Sequence, residues 1–258
     1  MAAVRSCTVC VMKHFLVAAA LSAGVHVSAA GISTLATGAT QGPLEQVAKA
    51  FEQASGHQVT IQFDTSQNIA RRLAGGERPD VLIASVAGVD QAIKEGKAVA
   101  ATRQAVGKIG IGVGMPRSGK RPDLTSAATL KASILQADAV VMTQGASAVF
   151  VDKMFADMGI ADQIKTKVVR VPTGAAVMAR LGAAKTNELG FTMISEIKFG
   201  ESSGAMLVGP LPAAIQTRTS YDAVVMTGAA SPDAARAFVR AVAGAPARKL
   251  LAAAGWEF

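Results

Sequence analysis

The sequence predicts an α/β fold of two lobes, each a mixed sheet flanked by helices. Three observations carry that prediction. Apolar strand-like runs alternate with amphipathic helical segments along most of the chain, the pattern of βαβ units. One run, Val106–Gly114 (VGKIGIGVG), has glycine at positions 107, 110, 112 and 114, which suits a strand crossing between lobes. The length beyond the N-terminal leader accommodates one large domain or two lobes of about 100–130 residues.

The elements follow in order. Ile32–Ala36 reads as a buried strand, and Pro43–Ala54 as a helix with Leu44, Val47, Ala48 and Phe51 on one face. Ser55-Gly56 ends that helix, and Gln58–Phe63 alternates as a strand. Gln67–Ala74 is a short helix stopped by Gly75-Gly76. Asp80–Ala84 is a continuous apolar run of the kind buried on both faces of a parallel sheet. Val89–Lys94 is helical, Met115–Pro122 a polar turn region, Leu130–Gln136 a helix and Ala139–Met142 a strand. A helix runs from the 143–147 loop to Met158. Val168–Val171, Gly174–Ala184 and Leu189–Met193 form a further strand, helix and strand. Met206–Val208 and Ala223–Met226 are short strands. Ser231-Pro232-Asp233 supplies an N-cap, a first-turn proline and a first-turn acid. A last helix, Ala247–Ala254, precedes Gly255-Trp256. We divide the chain into residues 1–30, a leader; 31–105 plus 207–258, lobe 1; and 106–206, lobe 2.

The leader has the order of a secretory signal. Lys13 and His14 precede the apolar run Phe15–Val27, and Ser28-Ala29-Ala30 offers a cleavage site. Met12 heads a complete signal by itself. Export to the periplasm is therefore expected. Both cysteines, Cys7 and Cys10, fall in this segment, so the remaining chain has no thiol for a disulfide, a zinc site or a nucleophile.

The formal net charge is +8, yet basic residues are scattered and only 4% of residues are aromatic. Nucleic-acid binding needs a basic patch or a known module, and neither is evident. A mild positive field favours a small anion. The loops Thr37–Gly42, Asp64–Ser66 and Thr143–Ser147 share hydroxyl or small residues, and each opens a helix. Helix N-termini expose unpaired N–H groups and partial positive charge, so these loops are candidate anion cradles. Hydroxyl-rich loops also serve ordinary helix capping. His57 reads as a solvated turn residue, and Asp162 and Glu196 as surface acids. No phosphate-binding loop, histidine triad or metal-ligand cluster is legible, which disfavours most hydrolases and nucleotide enzymes.

The segments ISTLATGATQGPLEQVAKAFEQASGHQVTIQF, DTSQNIARRLAGGERPDVLIAS, LGFTMISEI and SPDAARAFVRAVAGAPARKLLAAAGWEF together resemble the molybdate-binding-like periplasmic solute receptors of ABC transporters. The resemblance covers the chain after the leader. It implies the type II periplasmic binding protein fold, with a ligand gripped between two lobes. No cofactor or metal is implied, the partner is a membrane permease, and the receptor is a monomer. The family's oxyanion contacts map onto Thr37, Ala39 and Thr40 after the first strand. Further contacts map onto Thr65 and Ser66 after the second strand, and onto Ser147, Thr173, Gly174 and Met193 in lobe 2. Ala39 stands where the family places a serine, and Met193 where it often places a tyrosine. The altered pocket implies an organic carboxylate rather than molybdate, with Arg71 or Arg180 as possible helpers. A periplasmic aconitate isomerase is also described on this scaffold. That activity ranks second, because the sequence names no catalytic base.

Overall fold

The computed structural model describes residues 29–258 and the isolated Ala2. The expected leader therefore lies almost wholly outside the described residues. The chain opens with β1 (Gly31–Thr37), α1 (Gln41–Ser55), β2 (Gln58–Asp64), α2 (Ser66–Ala74), β3 (Val81–Ser85) and α3 (Val86–Lys94). A long strand, β4 (Gln104–Pro116), follows. After it come α4 (Ala127–Gln136), β5 (Ala139–Thr143), α5 (Ala146–Asp157), α6 (Ala161–Ile164), β6 (Val168–Val171) and α7 (Gly174–Ala183). β7 (Glu188–Met193), α8 (Ile194–Phe199), β8 (Ala205–Pro210), β9 (Arg218–Val225), α9 (Pro232–Ala243) and α10 (Ala245–Ala253) complete it.

The strands form one nine-stranded sheet in the order β2-β1-β3-β9-β4-β7-β5-β6, with β8 also paired to β4. β1 is parallel to β2 and β3, and β5 is parallel to β6 and β7. β4 joins the halves. Its residues Gln104–Gly110 pair antiparallel with β9. Ile111–Gly114 then pair with β7, and Gly112–Pro116 with β8. A single buried cluster runs through the junction, from Ile32 and Leu44 on one side through Ile109 and Val113 to Phe155 and Phe191 on the other.

Glycine on β4 is dictated by close neighbours. At Gly107 the backbone has φ +146°, and a Cβ would lie 2.9 Å from the Glu257 carbonyl oxygen. There the C-terminal tail adds itself to β4, with Lys108 and Glu257 exchanging backbone hydrogen bonds of 2.8 Å. At Gly112 a Cβ would lie 2.9 Å from Ile197 Cδ1, so α8 rests directly on the strand.

Several expectations are corrected. Met115 and Pro116 extend β4 rather than opening a turn. Two short helices, α6 and α8, were not foreseen. His57 is buried; its Nδ1 accepts a 3.2 Å hydrogen bond from the Ala30 N–H, and its ring packs near Phe51. Pro232 and Asp233 do begin α9, but the Ser231 hydroxyl makes no cap hydrogen bond.

Asp80 pins the first half together. Its carboxylate accepts from the Ser33 hydroxyl at 2.6 Å, the Ser33 N–H at 2.8 Å and the Ala230 N–H at 2.6 Å. β1, the start of β3 and the approach to α9 thus meet at one buried acid. Burial pushes its pKa up, but the hydrogen bonds from Ser33 and Ala230 outweigh it and hold the pKa below the ordinary value. A depressed acid stabilises the fold above the pKa of the unfolded chain, and that stability is lost as pH falls through the folded-state pKa. Asp80→Asn should cost about 1.5–3 kcal/mol in urea unfolding at pH 7. The gap between variant and wild type should close below about pH 4.

Candidate functional site

Parallel strands present their carboxyl ends, and the helices that follow present their N-termini, to the same edge of a sheet. In this chain the edges of the two halves face one cavity of about 120 Å³. Four helix starts line it: Gln41 of α1, Thr65 and Ser66 at α2, Gly145 and Ser147 at α5, and Thr173 and Gly174 at α7.

Of the residues expected at the site, Thr37, Ala39, Thr65, Ser66, Ser147, Thr173, Gly174 and Met193 all border this cavity. Thr40 does not. Its hydroxyl donates to the Thr37 carbonyl at 2.8 Å, and its side chain faces a small apolar recess between α1 and the sheet. Arg71 and Arg180 are also outside the lining. Arg71 bonds Asn68, and Arg180 makes two 2.9 Å hydrogen bonds to Glu188.

The donors on the wall differ in how they are engaged. Thr65 and Thr173 cap their helices by accepting from Asn68 N–H at 3.3 Å and Ala176 N–H at 3.2 Å. Thr143 and Ser147 hydrogen-bond each other at 3.1 Å. Thr37 is 3% exposed, and its Oγ1 is buried with no partner among the described residues. A buried hydroxyl left unpaired costs about 1–3 kcal/mol. Thr34 Oγ1 and Trp256 Nε1 are in the same state, but of the three residues only Thr37 borders the cavity.

Among the described residues no Lys, Arg or His side chain lines the cavity, and two acids do. Asp64 is occupied at the rim by the Thr65 N–H at 2.8 Å and Asn68 Nδ2 at 2.6 Å. Glu196 was expected on the surface, and the structure corrects that. As the third residue of α8 it reaches back to the first turn, where Oε2 accepts from the Thr192 hydroxyl and, at 3.3 Å, the Met193 N–H. This is half of a capping box. The other oxygen, Oε1, accepts no hydrogen bond among the described residues and lies over Gly38, where a Cβ would come within 2.8 Å. On the opposite side a Cβ at Gly174 would fall 2.4 Å from the carboxyl carbon. Burial raises the Glu196 pKa, only partly opposed by the Thr192 and Met193 hydrogen bonds.

Tyr221 was not anticipated either. This single tyrosine of the sequence enters the cavity from β9, stacked edge-on against Trp256 at 5.2 Å. Burial, and then the charge of Glu196, push its phenol above the ordinary value. Phe63 and Phe199 add aromatic walls. Glu196 did carry a sequence signal, since it stands three residues beyond the strand end at Met193. Tyr221 carried none, because only the register of β9 brings it inward.

This arrangement is that of the two-lobed periplasmic binding protein fold, with a cavity where the two halves of the sheet meet. The model of the family described as bacterial extracellular solute-binding protein matches residues 32–257, and the chain belongs to that family. An aconitate isomerase from Pseudomonas sp. is 28% identical over 232 residues, spanning 87% of this chain and 86% of that protein. The Azotobacter vinelandii periplasmic molybdate-binding protein shares the fold at TM-score 0.71 and 17% identity, covering 88% of this chain and 99% of that one. The sulfate-binding protein SubI from Mycobacterium tuberculosis does so at TM-score 0.69 and 19% identity, covering 88% and 86%.

Thr37→Val keeps the shape of the side chain and removes the unpaired hydroxyl. The variant should be as stable as wild type or more stable by up to about 1 kcal/mol in urea unfolding. A loss of stability would mean the hydroxyl already has a partner.

Proposed function

We propose that the protein is a periplasmic receptor that captures a small organic carboxylate between its lobes and delivers it to the permease of an ABC transporter. In this reading residues 1–30 direct export, and a monomer closes residues 106–206 onto 31–105 plus 207–258. One observation carries it: four helix N-termini and a set of neutral hydroxyls converge on a cavity lined by no basic side chain. Backbone N–H groups and helix dipoles stabilise an anion without a competing counter-charge. The apolar share of the wall, from Ala39, Phe63, Met193 and Phe199, favours a ligand with a carbon skeleton over a compact oxyanion.

Calorimetry against di- and tricarboxylates, with sulfate, molybdate and tungstate as controls, tests the reading. Binding of a carboxylate with weaker or absent binding of the oxyanions is expected, and the reverse order defeats it. Ser66→Ala should weaken that binding by about 1–3 kcal/mol, the cost of unpairing a buried group. Unchanged affinity would place the contacts elsewhere.

A second reading is favoured by Glu196 together with the aconitate isomerase relative. A carboxyl with one free oxygen and a raised pKa suits a general base. It would take a proton from the methylene carbon of aconitate, the double bond would shift, and the proton would return at the former vinyl carbon. Incubating purified protein with trans-aconitate and separating the products by chromatography tests this. Cis-aconitate should appear with wild type and not with Glu196→Gln; no product from wild type ends the idea.

A further inference from the structure

Glu196 poses a problem for any anion receptor. Its carboxyl lies at the start of α7, against Gly174, and over Gly38 at the end of β1. An ionised Glu196 there would repel the ligand the rest of the cavity attracts. Among the described residues no Lys, Arg or His side chain pairs with it, and Arg72 pairs instead with Asp64 at 3.5 Å. The ionisable group facing it from β9 is Tyr221, and Asp64 lines the same cavity from the β2–α2 loop. On α7, Arg180 is committed to Glu188. Lys198 of α8 donates to the Ala253 carbonyl, and Glu201 accepts from the Leu207 N–H. Glu45 of α1 is bonded to Gln41, Lys108 of β4 sits at the C-terminal tail, and β8 carries no ionisable side chain.

Two carboxyl groups sharing a desolvated site cannot both be ionised; one retains a proton. The geometry supplies the donor: Oε2 is held by Thr192 and Met193, and Oε1, with no hydrogen bond among the described residues, lies close to both Gly38 and Gly174 on a residue that lines the cavity.

We propose that Glu196 determines ligand class in this cleft: its Oε1 shares one proton with a carboxylate of the bound ligand, so capture of the anion takes up a proton. This rests on the carboxylate-receptor reading. A shared proton is strongest between groups of similar basicity, which two carboxylates have. Sulfate is a much weaker base and gains less from the same contact. Glu196 thus separates carboxylates from oxyanions where the surrounding hydroxyls and N–H groups do not.

Two measurements test it. In calorimetry with trans-aconitate over about pH 5 to 8, run in buffers of different ionisation enthalpy, proton uptake by wild type should rise toward one per ligand as free Glu196 ionises, and its affinity should fall about tenfold per pH unit above the pKa of free Glu196. Glu196→Gln should show no uptake and no such slope, and should bind sulfate at least about tenfold more tightly than wild type. Thr192→Val removes a contact that favours the charged form, so uptake should persist with the pH profile moved upward. The second measurement uses ligand-free protein. A raised acid stabilises the fold below its unfolded pKa and loses that stability as pH rises through the folded one. Wild type should therefore lose thermal stability relative to Glu196→Gln as pH rises from about 4 toward neutrality. Parallel stability curves overturn the proposal whatever the ligand. Binding of trans-aconitate without proton uptake, or uptake that survives in Glu196→Gln, overturns it alone. Failure of trans-aconitate and of every other di- and tricarboxylate in the panel to bind wild type at any pH from about 5 to 8 overturns it together with the carboxylate reading.

Discussion

The contact between Gly112 and α8 is the constraint on which the site depends. α8 has six residues, too few to hold a helix by its own hydrogen bonds. It persists because the bare backbone at Gly112 lets Ile194 and Ile197 seat against β4, and because Ile194 also fills the space over Gly255. Another edge of the same helix then reaches the other half of the molecule. The Ser195 hydroxyl donates to the Ala39 carbonyl at 2.6 Å, and Phe199 lies over Gly42 at the start of α1. A strand shared by both sheets therefore supports a helix that touches both sides of the cleft. A larger residue at 112 would press on Ile197, Leu207 and Ile194 together and move Glu196 with them.

Under the proposed reading, the cavity would recognise an anion with partial charges. A lysine in this space would attract any anion from a distance and would need a counter-ion when the cleft is empty. Helix N-termini carry about half a charge each, fixed in direction by strands that cannot turn. Their pull is short-ranged, so shape and hydrogen bonding decide what is accepted. Hydroxyl groups extend the choice because they donate or accept as the ligand requires. Against that background an acid in the wall has large leverage, since nothing nearby neutralises it.

The order of elements was legible because alternation of apolar runs with 3.6-residue periodicity survives in any βαβ chain. β1, β2, β6 and the α9–α10 pair fell close to their observed limits for that reason. The loops that open α1, α2 and α5 were legible through their hydroxyls and small residues, whereas the start of α7 was marked only by the family resemblance. What escaped depended on contacts between distant residues. α8 is too short to show a period, so its acid was placed on the surface. His57 follows a Gly and looked like part of a turn, but the residue before β1 folds back to bond it. Thr40 shares the composition of its loop, yet a single turn of 3-10 helix at Gly38–Thr40 rotates it inward toward the Thr37 carbonyl. Composition identified the loop; the local turn chose which hydroxyl faces the ligand.

Donors in this cleft have been moved as much as removed. Ala39 and Met193 put a methyl group and a thioether on the walls. Tyr221 from β9, the free hydroxyl of Thr37 and the linked hydroxyls of Thr143 and Ser147 supply donors at other points around the same space. The result is a cavity with separate polar and apolar surfaces, rather than one ringed evenly by donors. An even ring matches a tetrahedral ion, whose oxygens point in all directions. A divided wall matches a molecule whose oxygens gather at its ends and whose carbon lies between. Under the proposed reading a carboxylate end would share a proton with Glu196, and the carbon that carries that end would rest on Phe63 and Phe199.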